Sequence, residues 1–156
     1  MSSEFKKLDT NEHHAGNVDG AVVHESSLRI KKMEALLAAV QAAPQVPFHV
    51  DVGIMDSAYI RAGWVKAGTV AVGHVLNEAV PLVLLKGEAI IAGADGAVRV
   101  AAPHVAINPP GTRRALYAIT DCYALNAIFA QGQTVQEVEA RVIGDSQCLQ
   151  QQQQLR

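Results

Sequence analysis

The sequence predicts a mainly β domain, an antiparallel sandwich or barrel with an amphipathic helix before it and a short helix after it. Three observations lead there. Between Phe48 and Phe129 the chain falls into short runs rich in Val, Ile, Leu, Tyr and Phe, each bounded by Gly, Pro, Asn or Asp, which is the pattern of strands joined by turns. No helical period interrupts those runs, which argues against alternating β and α units. On either side of them the apolar spacing changes to that of a helix.

In chain order, residues 1–25 are polar and rich in Gly and His, with no sustained apolar period, and read as a flexible arm. Over residues 26–43, Leu28, Met33, Leu36, Leu37 and Val40 recur at helical spacing, and Ser26 or Ser27 can cap the start. Pro44 and Pro47 stop this helix. The expected strands are Phe48–Val52, Tyr59–Val65, Val70–Val75, Leu82–Leu85, Glu88–Ala92, Val98–Ala101, Val105–Asn108, Leu116–Ile119 and Tyr123–Phe129, with turns at Ala67-Gly68, Lys86-Gly87, Ala94-Asp95-Gly96 and Pro109-Pro110-Gly111. Thr134 with Glu137 three residues on is a capping box, and Val135, Val138 and Val142 give the helix behind it one apolar face, so the folded domain is expected to span 48–143. The stretch 144–156, ending in the run Gln150–Gln154, reads as a flexible tail.

Composition limits the function. The chain has 156 residues, room for one domain with appendages, and its 49% hydrophobic share supplies a core without cross-links. A net charge of −2 gives no positive field of the kind that holds nucleic acid, so none is expected as a partner. Aromatic residues are only 4%, too few for a stacking platform. Two cysteines, Cys122 and Cys148, make no disulfide framework and suggest a reducing compartment. The longest apolar run, Ala79–Leu85, is far below the ~20 residues of a membrane-spanning helix, so a cytoplasmic protein without a membrane partner is expected.

The turns and strands resemble the two conserved stretches of the cupin superfamily. In that family a glycine precedes a His-x-His pair, a glutamate and a closing glycine; a Pro-x-Gly turn then leads to a further histidine. Here Gly68, His74 and Gly87 follow the first pattern and Pro109-Pro110-Gly111 the second. The resemblance covers about Tyr59 to Phe129 and implies a cupin-like double-stranded β-helix, the jelly-roll barrel. Small cupin-like proteins encoded by tailed bacteriophages are similar in more detail: Tyr59-Ile60-Arg61, Lys66-Ala67-Gly68-Thr69, Gly73-His74, Ala102-Pro103, Pro109 to Arg114, and Thr134 to Glu139 match their segments.

A cupin metal centre needs about three imidazoles and often a carboxylate on one ion. His74 stands at the first histidine position, but the second falls on Leu76, the glutamate on Val80 and the last histidine on Arg114. A slipped register would put Glu78 near His74, still beside Leu76 and Val80 and opposite a repelling arginine. Neither a metal nor an organic cofactor is expected. Arg114 at the histidine position projects into the barrel mouth, where with His74 and Arg61, and Glu78 nearby, it can form an anion-binding pocket. The plainer alternative is that one of Arg113 and Arg114 faces solvent and the other pairs with a nearby acid such as Glu78, Glu88 or Asp121. His13, His14 and His24 suit a solvated arm, and His49 and His104 suit strand surfaces. No nucleophile elbow, phosphate loop or zinc-spaced Cys pair is present, and Cys122 has no adjacent His to activate it.

No catalytic residue is therefore expected. The reading that follows is a non-enzymatic structural or assembly protein on a barrel without metal ligands. The resemblance makes it a bacteriophage virion component, whether capsid-associated, tail or adaptor, that self-associates and contacts other virion proteins. Such a protein resides in the host cytoplasm during assembly and then in the virion. The alternative is a cupin-type small-molecule enzyme, or an anion- or sugar-binding protein, that uses the barrel mouth.

Overall fold

The computed structural model of the chain describes residues 19–47, 49–93 and 95–144. His13, His14, Cys148 and the glutamine run lie outside the described residues. Helix α1 spans Asp19–Ala42. It starts seven residues before the expected Ser26, because Ala21, Val22 and Val23 are compatible with a helix and Ser26 and Ser27 sit inside it. Its half-buried side chains are Met33, Leu36, Leu37 and Val40, while Leu28 and Ile30 are exposed. Only the second half of the expected apolar face is therefore covered, and α1 packs against β3.

Nine strands follow: β1 Val50–Met55, β2 Ala58–Val65, β3 Val70–Val72, β4 Val80–Lys86, β5 Glu88–Gly93, β6 Gly96–Ala101, β7 His104–Asn108, β8 Ala115–Ala118 and β9 Cys122–Phe129. They form two antiparallel sheets, β1-β2-β9-β4-β7 and β3-β8-β5-β6. Every strand differs from expectation by one to three residues at one end or both, and two of these ends have a visible local reason. Pro81 lacks an N–H, yet β4 begins at Val80 because pairing with β9 starts only at Leu82, and the side-chain amide of Asn126 donates to the Pro81 carbonyl at 2.9 Å. β3 ends at Val72, not Val75. Beyond it Gly73 N–H donates to the Arg114 carbonyl, and Leu76 forms a bridge with Ile143 behind the second helix.

Helix α2, Val135–Val142, carries the expected capping box: Thr134 N–H donates to Glu137 Oε2 at 2.7 Å and Thr134 Oγ1 accepts from Glu137 N–H. Its apolar face, Val138 and Val142, is buried with Tyr59, Val80 and Ala130. A second buried group, Val65, Leu84, Ala89, Ile91, Val100, Ala118 and Cys122, fills the space between the sheets. Burying a Leu84-sized side chain stabilises the fold by about 1.5–3 kcal/mol. Along β2, Tyr59, Arg61, Gly63 and Val65 share the inward face, opposite Ile128, Asn126, Ala124 and Cys122 of β9. The small side chains at the middle of these rows leave space, and a cavity of about 260 Å³ opens between the sheets under α2.

Candidate binding site in the barrel mouth

Of the four residues singled out for the mouth, Arg61, His74 and Arg114 line this one cavity. Glu78 does not join them: it forms an ion pair with Arg141 of α2. Its expected position assumed an unbroken alternation from His74 to Val80. The strand ends at Val72, and the segment beyond is held by α2 through Asn77 N–H to the Val142 carbonyl at 2.7 Å, which turns Glu78 toward the helix.

Arg114 immediately precedes β8, and one residue beyond the last β5–β8 pair, Ala92 with Ala115, it lies beside Gly93 of β5. A Cβ on Gly93 would stand 3.5 Å from Arg114 Cγ and 2.8 Å from an Asp95 oxygen, so the glycine makes room for both. Arg114 Nη2 donates to Asp95 Oδ2 at 3.2 Å, while its buried Nε has no hydrogen-bond partner among the described residues. Neither arginine faces solvent, contrary to the plainer alternative. The side chain of Arg113 is 8% exposed and 3.6 Å from Glu34 of α1, so among the described residues the nearby acids that pair are Glu34 and Asp95, in place of the examples Glu78, Glu88 and Asp121.

At the inner end, Arg61 lies 3.7 Å from Glu139 of α2, and the Tyr59 hydroxyl donates to the same carboxylate oxygen at 2.8 Å. Burial, reinforced by the Glu139 charge, pushes the Tyr59 phenol up to about 12. A raised folded-state value means that the protonated phenol stabilises the fold fully below the ordinary value of 10; that contribution disappears as pH rises through about 12. In an alkaline absorbance titration, a late tyrosinate phase near pH 12 is expected that is absent from Tyr59→Phe. A titration that is the same in both proteins would contradict this.

Two amides complete the polar lining. Asn126 sits beside Arg61, and Asn108, buried at the end of β7, has an Oδ1 with no hydrogen-bond partner among the described residues. A buried carbonyl left unpaired costs about 1–3 kcal/mol. Tyr59, Glu139, Asn108 and Asn126 were not picked out as site residues from sequence. Two amides inside otherwise apolar strands were the available signal.

The residues present do not fit a cupin metal ion. Leu76 and Val80 carry no donor atoms, Val80 is 1% exposed in the core, and a guanidinium has no lone pair to give. Among the described residues, no group of three or more His, Cys, Asp or Glu side chains converges. Cys122 is buried, its thiol donates to the carbonyls of Glu88 and Thr120, and burial raises its pKa, which opposes thiolate chemistry. His49 is exposed and 3.0 Å from Asp51, at β1 and away from the cavity. No helix among the described residues is long and apolar enough to cross a membrane.

No protein-family model matches the chain, and no curated protein matches it. Solved structures do. A salicylate 1,2-dioxygenase from Pseudoaminobacter salicylatoxidans superposes with a TM-score of 0.52 at 11% identity, over 78% of this chain and 36% of that one. A cupin superfamily protein from Desulfitobacterium hafniense gives 0.47 at 16% identity, covering 56% of this chain and 81% of its own. An RmlC-like cupin from Desulfovibrio desulfuricans gives 0.44 at 20% identity, covering 56% and 90%. At such identities the likeness is one of fold. With two antiparallel sheets around a central cavity and a helix before and after them, the chain has a cupin-like double-stranded β-helix fold.

Proposed function

We propose that the protein is a metal-free binding module that holds a small organic anion in the barrel mouth. The observation that carries this reading is the convergence of Arg61, His74 and Arg114 on one cavity whose remaining wall is mostly aliphatic. Glu139 sits on Arg61 and the Asp95 carboxylate on Arg114, so an entering anion shares each guanidinium with one carboxylate. A carboxylate or phosphate oxygen pairs with guanidinium N–H groups in the fork geometry that arginine favours. The aliphatic wall, including Leu82, Leu116 and Ile128, suits a ligand with an apolar body.

Isothermal titration with benzoate, and with phosphate as the small inorganic comparison, tests it. Benzoate is expected to release heat, benzyl alcohol none, and Arg114→Met is expected to weaken benzoate binding by about tenfold or more, the loss of one charge-assisted contact worth about 1.4 kcal/mol or above. Absence of heat with every carboxylate and phosphate tried removes the proposal.

A second reading keeps the sequence expectation of an assembly role among bacteriophage virion proteins. The apolar side chains that β1 and β7 present to solvent favour it, and so does the similarity of the Lys66–Thr69 and Pro109–Arg114 segments. Recovery of the protein in purified particles of the phage that encodes it tests this, and its absence from them counts against the reading.

A further inference from the structure

We infer that the ligand of the mouth is a hydroxycarboxylate whose neutral hydroxyl is selected by Asn126, an assignment that rests on the anion-binding reading and goes on to name which group the inner end takes. The two guanidiniums stand on opposite walls, Arg61 on β2 of the five-stranded sheet and Arg114 just before β8 of the four-stranded one. Each is held by a carboxylate, and the two carboxylates differ in how readily they yield. The Asp95 side chain, at the β5–β6 turn, is 70% exposed, so it can swing into water and leave Arg114 to a ligand. The Glu139 side chain is 14% exposed and accepts from the buried Tyr59 hydroxyl, so it stays on Arg61. The ligand's charged group therefore belongs at Arg114.

The inner end has a different character. Glu139 Oε1 accepts from Tyr59 and faces Arg61 at 3.7 Å, while Oε2 accepts no hydrogen bond among the described residues. Asn126 is the cross-strand partner of Arg61, and its Nδ2 donates to the Pro81 carbonyl at 2.9 Å. That bond fixes the amide and leaves Oδ1 as an acceptor with no donor among the described residues. Neither oxygen is closed off, in contrast to the buried Oδ1 of Asn108. Arg61 brings N–H donors to the same place. A second carboxylate, which only accepts, would face the Glu139 charge and the Asn126 oxygen, and an ammonium, which only donates, would face the Arg61 charge. A hydroxyl carries no charge and does both, donating to Asn126 Oδ1 or Glu139 Oε2 and accepting from Arg61. A site built this way rejects a ligand that lacks the hydroxyl, because its own polar groups then stay unpaired. The cavity of about 260 Å³ and its aliphatic wall limit the body between the two groups to a single small ring or a short chain.

Isothermal titration of the full chain with para-substituted benzoates tests this, since they share one ring and one carboxylate and differ only at the far end. 4-(Hydroxymethyl)benzoate is expected to bind about tenfold more tightly than 4-ethylbenzoate, which puts a methyl group in place of the hydroxyl. Terephthalate and 4-(aminomethyl)benzoate are expected to bind no better than 4-ethylbenzoate. Asn126→Ala is expected to cut the preference for hydroxymethyl over ethyl by about threefold or more, a ratio that a loss of packing alone does not move. Circular dichroism verifies its folding, and if it does not fold, the four ligands on the unaltered protein decide. Equal affinity for the hydroxymethyl and ethyl compounds overturns the inference and leaves the anion-binding reading standing. Tightest binding by terephthalate or by the ammonium compound overturns it too, by placing a second charge at the inner end, and a preference unchanged in a folded Asn126→Ala overturns the role of Asn126. Absence of binding by all four removes the anion-binding reading itself.

Discussion

Alanine at Gly87 is expected to lower the stability of the fold by about 4 kcal/mol, from two sources of about 1–3 kcal/mol each. Gly87 closes the tight turn between β4 and β5 at φ +93, a region that side chains with a Cβ rarely adopt. A Cβ there would also stand 2.4 Å from the Asp121 carbonyl and 2.8 Å from Cys122 Sγ, on a strand end that the core holds in place. Gly68 separates the two sources. It has a similar φ of +78 with nothing within 4 Å of a Cβ, so Gly68→Ala carries the conformational part alone, about 1 kcal/mol. Urea denaturation of the two variants measures the difference as a shift in midpoint at constant slope. Equal losses would mean that the close approach of β9 to the turn is not rigid.

That contrast also marks how far the residue pattern reaches. Gly68, Gly87 and Gly111 were read as turns and all adopt positive φ, because a turn glycine is a local requirement visible beside the strands it joins. Spacing alone gave a sandwich or barrel, and the cupin-like barrel came from the resemblance that these glycines carry together with His74 and Pro109. Arg61, His74 and Arg114 were offered as one of two arrangements at the mouth, and all three residues line the cavity. Glu78 was misplaced because alternation holds only while a strand continues, and the strand stops when α2 captures Leu76 and Asn77. Glu139 was out of reach for the same reason: its hydrogen bond to Tyr59 joins residues 80 apart in sequence, through a helix whose docking no local pattern encodes. The apolar outer face was present in the text of the strands all along. AYIRAGWV in β2 and CYALNAIF in β9 run apolar at nearly every position, where a sheet with one solvated face ordinarily alternates.

The residue whose replacement separates stability from binding is Glu139. Its carboxylate neutralises Arg61 and accepts the buried Tyr59 hydroxyl, so it occupies, from within, a guanidinium that a bound anion would use. Glu139→Ala leaves the phenol without an acceptor and the guanidinium without its counter-charge, and is expected to cost about 3 kcal/mol of stability. Glu139→Gln keeps an acceptor for Tyr59 and removes only the charge, and is expected to cost about 1 kcal/mol. The same Gln variant raises the positive potential of the cavity, so benzoate is expected to bind about tenfold more tightly, a gain of about 1.4 kcal/mol. Opposite signs in one variant, a lower urea midpoint and a lower Kd, are hard to obtain from a purely structural residue, which loses both together. A Glu139→Gln protein that binds more weakly would place the Glu139 carboxylate itself in contact with the ligand and reverse the charge argument for the mouth.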